Sequence, residues 1–194
     1  MKKYLLPLFA ILLCAGSAEA ASHDVDFSLW SPEVQWRAPD DDIEVFRLSI
    51  YGRNHDVSGL SVGAVDIATG DLDGVQAGLF YIRAEGDFCG WQGFPLGVLC
   101  AVPRTRGNLS GIQTGFVSFV NGDMDGVSFG LFYDDIGGEM TGVQLGIVNT
   151  AGSLNGLQVG LVNFAGKGYG LQIGLLNFFE DGIADCCPIF NYHF

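Results

Sequence analysis

From residue 59 onward the chain alternates apolar residues with small or polar ones. In GLQVGLVN, which begins at Gly156, one set of positions carries Leu157, Val159 and Leu161, and the other carries Gly156, Gln158 and Gly160. A period of two belongs to a β-strand, whose successive side chains point to opposite faces. The same motif (Gly, apolar, Gln or Ser, any residue, Gly, apolar, apolar) recurs eight times, with its first Gly at 59, 74, 93, 111, 126, 142, 156 and 170. The steps are 15, 19, 18, 15, 16, 14 and 14 residues. Strands of about 9 to 11 residues joined by turns of about 3 to 5 account for that period. Turn signals fall at Thr69-Gly70-Asp71, Asn121-Gly122-Asp123, Gly137-Gly138, Ala151-Gly152-Ser153 and Ala165-Gly166-Lys167.

Four regions follow from this pattern. Residues 1–20 read as a signal peptide, 21–58 as N-terminal strands with an acidic linker, 59–180 as the repeats, and 181–194 as a C-terminal strand, with 21–194 forming one domain. In the second region, Val25 to Trp36 and Glu44 to Tyr51 read as strands on either side of Asp40-Asp41-Asp42. The signal peptide rests on Lys2 and Lys3, the apolar stretch from Tyr4 to Ala15, and the small residues Ala18-Glu19-Ala20 ahead of Ala21. Its apolar part is shorter than the roughly 20 residues a membrane-spanning helix needs.

The alternation predicts an all-β fold and suits two architectures. The preferred one is an antiparallel up-and-down barrel of about 10 to 12 strands, with Leu157, Val159 and Leu161 facing lipid and Gln158 and the glycines inside. Aromatic residues at Phe80-Tyr81, Phe119, Phe132-Tyr133, Phe164 and Phe178-Phe179 would then form an interfacial girdle. The ending on Phe194, with Tyr192 and Phe190 before it, resembles the aromatic final strand of outer-membrane proteins. The alternative is a β-solenoid with the Leu and Val face inward and the Gly and Gln face exposed. Asn149, Asn163 and Asn177 suit stacked rungs, but the equivalent positions in other copies hold Asp66, Tyr81, Cys100, Ser118 and Tyr133, so an Asn ladder would be partial. Pro95 stands where other copies have Gln or Ser, which predicts a bent or bulged strand there.

Composition narrows the function classes. Hydrophobic residues make up 48% of the chain and charged ones only 16%, with 29 glycines and a net charge of −13. Glycine without a Gly-X-Y period excludes collagen, and the apolar content excludes disorder. The acidic balance argues against nucleic acid, whose phosphates require clustered Lys and Arg. It also disfavours electrostatic adhesion to anionic lipid.

GLQVGLVN and GLQIGLLN, the segment Phe27-Ser28-Leu29-Trp30-Ser31-Pro32, Tyr51-Gly52, and the ending Pro188-Ile189-Phe190-Asn191 through Phe194 resemble the surface-repeat family first described in leptospires. That resemblance spans nearly the whole mature chain. It implies an envelope or surface location and brings no catalytic residues.

Candidate chemistry is sparse. Asp71 with Asp73, and Asp123 with Asp125, are weak calcium candidates, because carboxylates two residues apart on a strand point the same way. Aspartate is equally a turn residue that keeps a strand end solvated. Asp134-Asp135 with Glu139, and Glu180, Asp181 and Asp185, read as solvated loops. His23, His55 and His193 lack any nucleophile motif. Cys89 and Cys100 are the candidate disulfide, while the adjacent Cys186 and Cys187 are free or bonded elsewhere. The Gln row at 76, 113, 144, 158 and 172 is expected to satisfy hydrogen bonds inside or between strands.

The reading is therefore a non-enzymatic outer-membrane or cell-surface repeat protein with a structural or interaction role. No cofactor is expected, and an outer-membrane or cell-surface partner is. The alternatives are a small-solute channel or binder using the Gly and Gln face, and a soluble β-solenoid adhesin.

Overall fold

The computed structural model describes residues 21–93 and 102–194. The signal peptide expected at 1–20 lies outside them, as do Pro95 and Cys100. Among the described residues eleven strands form one sheet: β1 (Ser22–Trp30), β2 (Val34–Gln35), β3 (Asp42–Asn54), β4 (Val57–Ala68), β5 (Leu72–Ala84), β6 (Phe88–Gly93), β7 (Val102–Thr105), β8 (Leu109–Val120), β9 (Met124–Val159), β10 (Val162–Phe179) and β11 (Cys186–His193). From β3 to β10 every neighbouring pair is parallel and nearly in register, with Gly59 beside Gly74, Gln158 beside Gln172 and Asn149 beside Asn163.

The fold is thus all-β but not the expected antiparallel barrel. It is a parallel β-solenoid of about eight turns. A meander reverses direction at each turn signal, whereas here one repeat is a full circuit and each residue returns above its own equivalent. A perimeter of 14 to 16 residues, or 21 in the circuit from Gly90 to Gly111, makes a flattened coil with two straight segments and two corners. The first corner follows the second Gly of each motif, and the second falls at the expected turns. The turns at Gly137-Gly138 and Ala151-Gly152-Ser153 do not interrupt β9, because corner backbone also bonds from rung to rung, as in Gly138 N–H to Gly122 O at 3.1 Å.

Register corrects the repeat alignment in two places. Gly90, not Gly93, lies between Gly74 and Gly111, so Gln92 takes the place assigned to Pro95. A bulge at the first corner gives some rungs one extra residue (Gly63 to Val65 spans the same gap as Gly78 to Tyr81). Ile82 and Asp134, rather than Tyr81 and Tyr133, therefore stack with Asp66 and Ser118.

Four columns of side chains point inward. Ile43, Val57, Leu72, Phe88, Leu109, Met124, Met140 and Leu154 follow the second corner, and Ala68, Ala84, Val120, Ile136, Ala151, Ala165 and Phe179 precede it. Together these two columns are the apolar core. The other two columns are polar. One runs Arg47, Ser61, Gln76, Gln92, Gln113, Ser128, Gln144, Gln158 and Gln172; the other includes Asp66, Ser118, Asp134, Asn149, Asn163 and Asn177.

The first motif glycine is required by the stacking. Gly126 has φ +139°, and a Cβ there would fall on the carbonyl oxygen of Gly111 in the rung below. Reversed strands close both ends of the stack, since β11 pairs antiparallel to β10 and β2 antiparallel to β1.

Candidate functional site

Neither expected assignment of the two faces holds whole. The topology is that of the solenoid alternative, but the Gln face lies inside, as the barrel reading had it. Leu157, Val159 and Leu161 point outward, and Leu161 is 49% exposed.

Inside, the glutamines act as braces. Nε2 of Gln158 donates to Oε1 of Gln144 in the rung below (2.7 Å) and to the Phe164 carbonyl across the coil (3.2 Å). Gln172 repeats this toward Gln158 (2.7 Å) and Phe178 O (3.1 Å). Gln113, Gln92 and Gln76 form an earlier run, with donor–acceptor distances of 2.7 and 2.9 Å. One amide proton thus joins rungs while the other joins the two segments of the coil. The row expected to line a barrel lumen is a closed, packed column.

The Asn column runs with opposite polarity: Asn149 Nδ2 donates to Asn163 Oδ1 (2.8 Å), and Asn163 Nδ2 donates to Asn177 Oδ1 (2.7 Å). Where a serine replaces Gln, an aspartate replaces Asn. Ser61 donates to Asp66, and Ser128 donates to Asp134 at 2.8 Å. Arg47, fully buried, pairs with Asp66 and also donates to Ser61 Oγ (2.8 Å) and Asn54 Oδ1 (3.2 Å). Burial lowers the Arg47 pKa and raises that of Asp26, which Gln35 Nε2 and the Arg37 N–H bond.

Asp134 has no cation beside it. Burial pushes its carboxyl up to about 7, against the hydrogen bond from Ser128. Its Oδ2 is without a partner, and so is Asn149 Oδ1 in the next rung. A neutral Asp134 carries a hydroxyl donor, which is what the Asn149 oxygen lacks.

Outside, the second corner is acidic. Asp56, Asp71, Asp87, Asn108 and Asp123 stack there, and each side-chain oxygen accepts the backbone N–H of the next rung: Asp71 N to Asp56 (2.8 Å), Asp87 N to Asp71 (2.8 Å), Asn108 N to Asp87 (2.7 Å), Asp123 N to Asn108 (2.9 Å) and Glu139 N to Asp123 (2.8 Å). Asp71 and Asp123, the calcium candidates, are thereby rung-to-rung caps. Asp73 and Asp125 lie exposed on the adjoining strand face. Spacing along one strand does not reveal this ladder, because its partners are 15 to 21 residues apart. The described residues with three metal-ligating atoms close together are Asp42, His55 and Asp56, but oxygens of both aspartates already cap Asp56 N and Asp71 N.

Of the disulfide candidates, Cys89 is exposed on β6 and Cys100 lies outside the described residues. Cys186 and Cys187 are unbonded on β11. His23 and His55 each face aspartates, and His193 Nδ1 lies 2.8 Å from Gly168 O. Asp134 and Asp135, one buried and one outward, do not share a cleft, whereas Glu180 and Asp185 border a shallow one with the stacked rings of Phe164 and Phe178 (4.6 Å apart).

The first corner is apolar. Leu79, Phe80, Phe132, Ile147, Leu161 and Leu175 crown it, with Phe80 64% and Leu175 66% exposed. The aromatic residues expected to ring a barrel instead run lengthwise, as in Phe116 on Phe132 (6.0 Å) and Phe119 on Tyr133 (6.0 Å); Phe179 is buried in the core. Compared with family models, curated proteins and solved structures, the chain matches none.

Proposed function

We propose that this chain is an exported, non-enzymatic protein of the cell envelope, held at an outer membrane or cell surface, where it has a structural or interaction role. One observation carries the reading: two apolar columns fill part of the core, yet the outer surface over the buried amide columns also displays aliphatic and aromatic side chains, side by side rather than scattered. Contiguous exposed apolar surface beyond a few hundred Å² marks a contact surface. The N-terminal signal pattern and the resemblance to surface-repeat proteins support the same location. The amide columns are engaged with one another, so they support neither a solute channel nor a binding lumen. Expression of the full chain in a Gram-negative host, followed by fractionation, tests the proposal. The chain is expected with the envelope, released by detergent and retained in high salt. Recovery as a freely soluble periplasmic or secreted monomer overturns it.

A further inference from the structure

The exterior charge is not spread evenly around the coil. On the first straight segment the outward columns are Leu60, Val75, Trp91, Ile112, Val127, Val143, Leu157 and Leu171, and then Val62, Thr114, Phe129, Leu145, Val159 and Ile173, with Ala77 in the second column covered by its neighbours. The first corner follows, and the next outward column holds Tyr81, Val102, Val117, Tyr133, Val148 and Val162. None of these described positions carries Asp, Glu, Lys or Arg. Charge begins one column further on either side, at Asp73 and Asp125 or at Arg53, Arg83, Arg104 and Asp135, and it concentrates on the acidic corner opposite.

Eight rungs at about 4.8 Å make this strip about 38 Å long, with the first corner described in seven of them and that of the rung beginning at Gly90 lying outside the described residues. About seven residues of perimeter at roughly 3.3 Å give an area on the order of 800 Å², beyond the largest patch of an ordinary monomer. Shape selects the occupant. The strip folds over a convex edge, so a rigid second copy meets only one flank, on the order of 400 Å² per partner, about half what a stable interface uses. A fluid bilayer can wrap both flanks. The acidic corner, on the far side, rules out attraction to anionic headgroups and keeps the coil from submerging.

We infer that the coil lies lengthwise on a bilayer with its uncharged first corner inserted among neutral lipids and its acidic corner in water. This rests on the envelope reading and adds the mode of attachment. Insertion of apolar side chains at the headgroup boundary binds through buried area rather than charge.

The test is flotation of the protein, purified from the expressing host, with phosphatidylcholine vesicles, beside the variant Phe80→Glu/Phe132→Glu. Both side chains are more than half exposed, so the variant should keep its far-ultraviolet strand signal and a cooperative melt, lowered only by the lost stacking of Phe132 on Phe116. The expected result is flotation of the parent at low and high salt, at least a tenfold lower partition coefficient for the variant, and weaker binding when anionic lipid is added. Equal flotation of the two proteins overturns the inference. So does a parent that sediments as a stable dimer and ignores vesicles. A parent that fractionates with the envelope yet ignores pure lipid overturns this inference and leaves the envelope reading standing.

Discussion

Asp134 is a buried carboxyl in a column that continues as amides. It stands one rung before Asn149 in the Asn column, with Ser128 donating to one oxygen and the other, like Asn149 Oδ1, without a partner. Its proton is held more tightly in the folded chain, at about 7 against an ordinary value of 3.8. Between those values the folded protein binds a proton that the unfolded chain has released, so stability falls as pH rises from about 4 to about 7 and levels off above. Three units correspond to about 4 kcal/mol. Thermal melts should show this fall for the parent and its loss in Asp134→Asn, whose amide supplies the missing donor at every pH. Gly126→Ala, which asks for positive φ and collides with Gly111, should cost more than about 2 kcal/mol by urea unfolding. Arg47→Met leaves Asp66 and Asp26 buried without their cation and should cost about 3 to 5 kcal/mol in the same measurement.

At the level of the rung, the glutamine column does what a loop-free coil needs: it ties both straight segments to each other and each turn to the next. Truncating Gln158 removes the bonds to Gln144 Oε1 and the Phe164 carbonyl and leaves Gln172 Nε2 with only its bond to Phe178 O. Gln158→Ala should therefore cost about 3 kcal/mol or more, well above the ~1 kcal/mol of one ordinary hydrogen bond. Much of this element was legible in the chain. The alternation, the repeat length and a glutamine row engaged in hydrogen bonds follow from spacing alone. What spacing hid was the sidedness, because a barrel and a solenoid share the same period of two and differ only in which neighbour a strand meets. Tyr133 and Asp134 exchanged places for a related reason: the corner bulge adds one residue in some rungs, and a one-residue slip turns every later side chain to the other face. In the sequence Gly93 masks Gly90, because GFPLG imitates the apolar spacing of the motif, while only the pairing of Gly90 with Gly74 and Gly111 identifies the stacked glycine.

Across the whole molecule two gradients cross. Inside, the apolar columns lie beneath the acidic corner and the amide columns beneath the apolar one. Outside, carboxylates repeat up the acidic corner at one rung's spacing, about 4.8 Å, which is a costly arrangement of like charges in dilute buffer. Raising monovalent salt from about 0.01 to 0.15 M shortens the screening length from about 30 to 8 Å, so the melting temperature should rise over that range. A flat or falling response would mean that the N–H groups capped by Asp71, Asp87 and Asp123 neutralise the column by themselves.

The reversed strand at the C-terminal end bears on growth. Every rung from β3 to β10 presents the same backbone polarity upward and downward, and a stack of this kind templates its own extension, chain upon chain. β11 runs the other way and closes on His193 beside Gly170, while β2 reverses the opposite end. A further copy meeting either end would therefore face a strand of reversed polarity and not the parallel register that joins the rungs between.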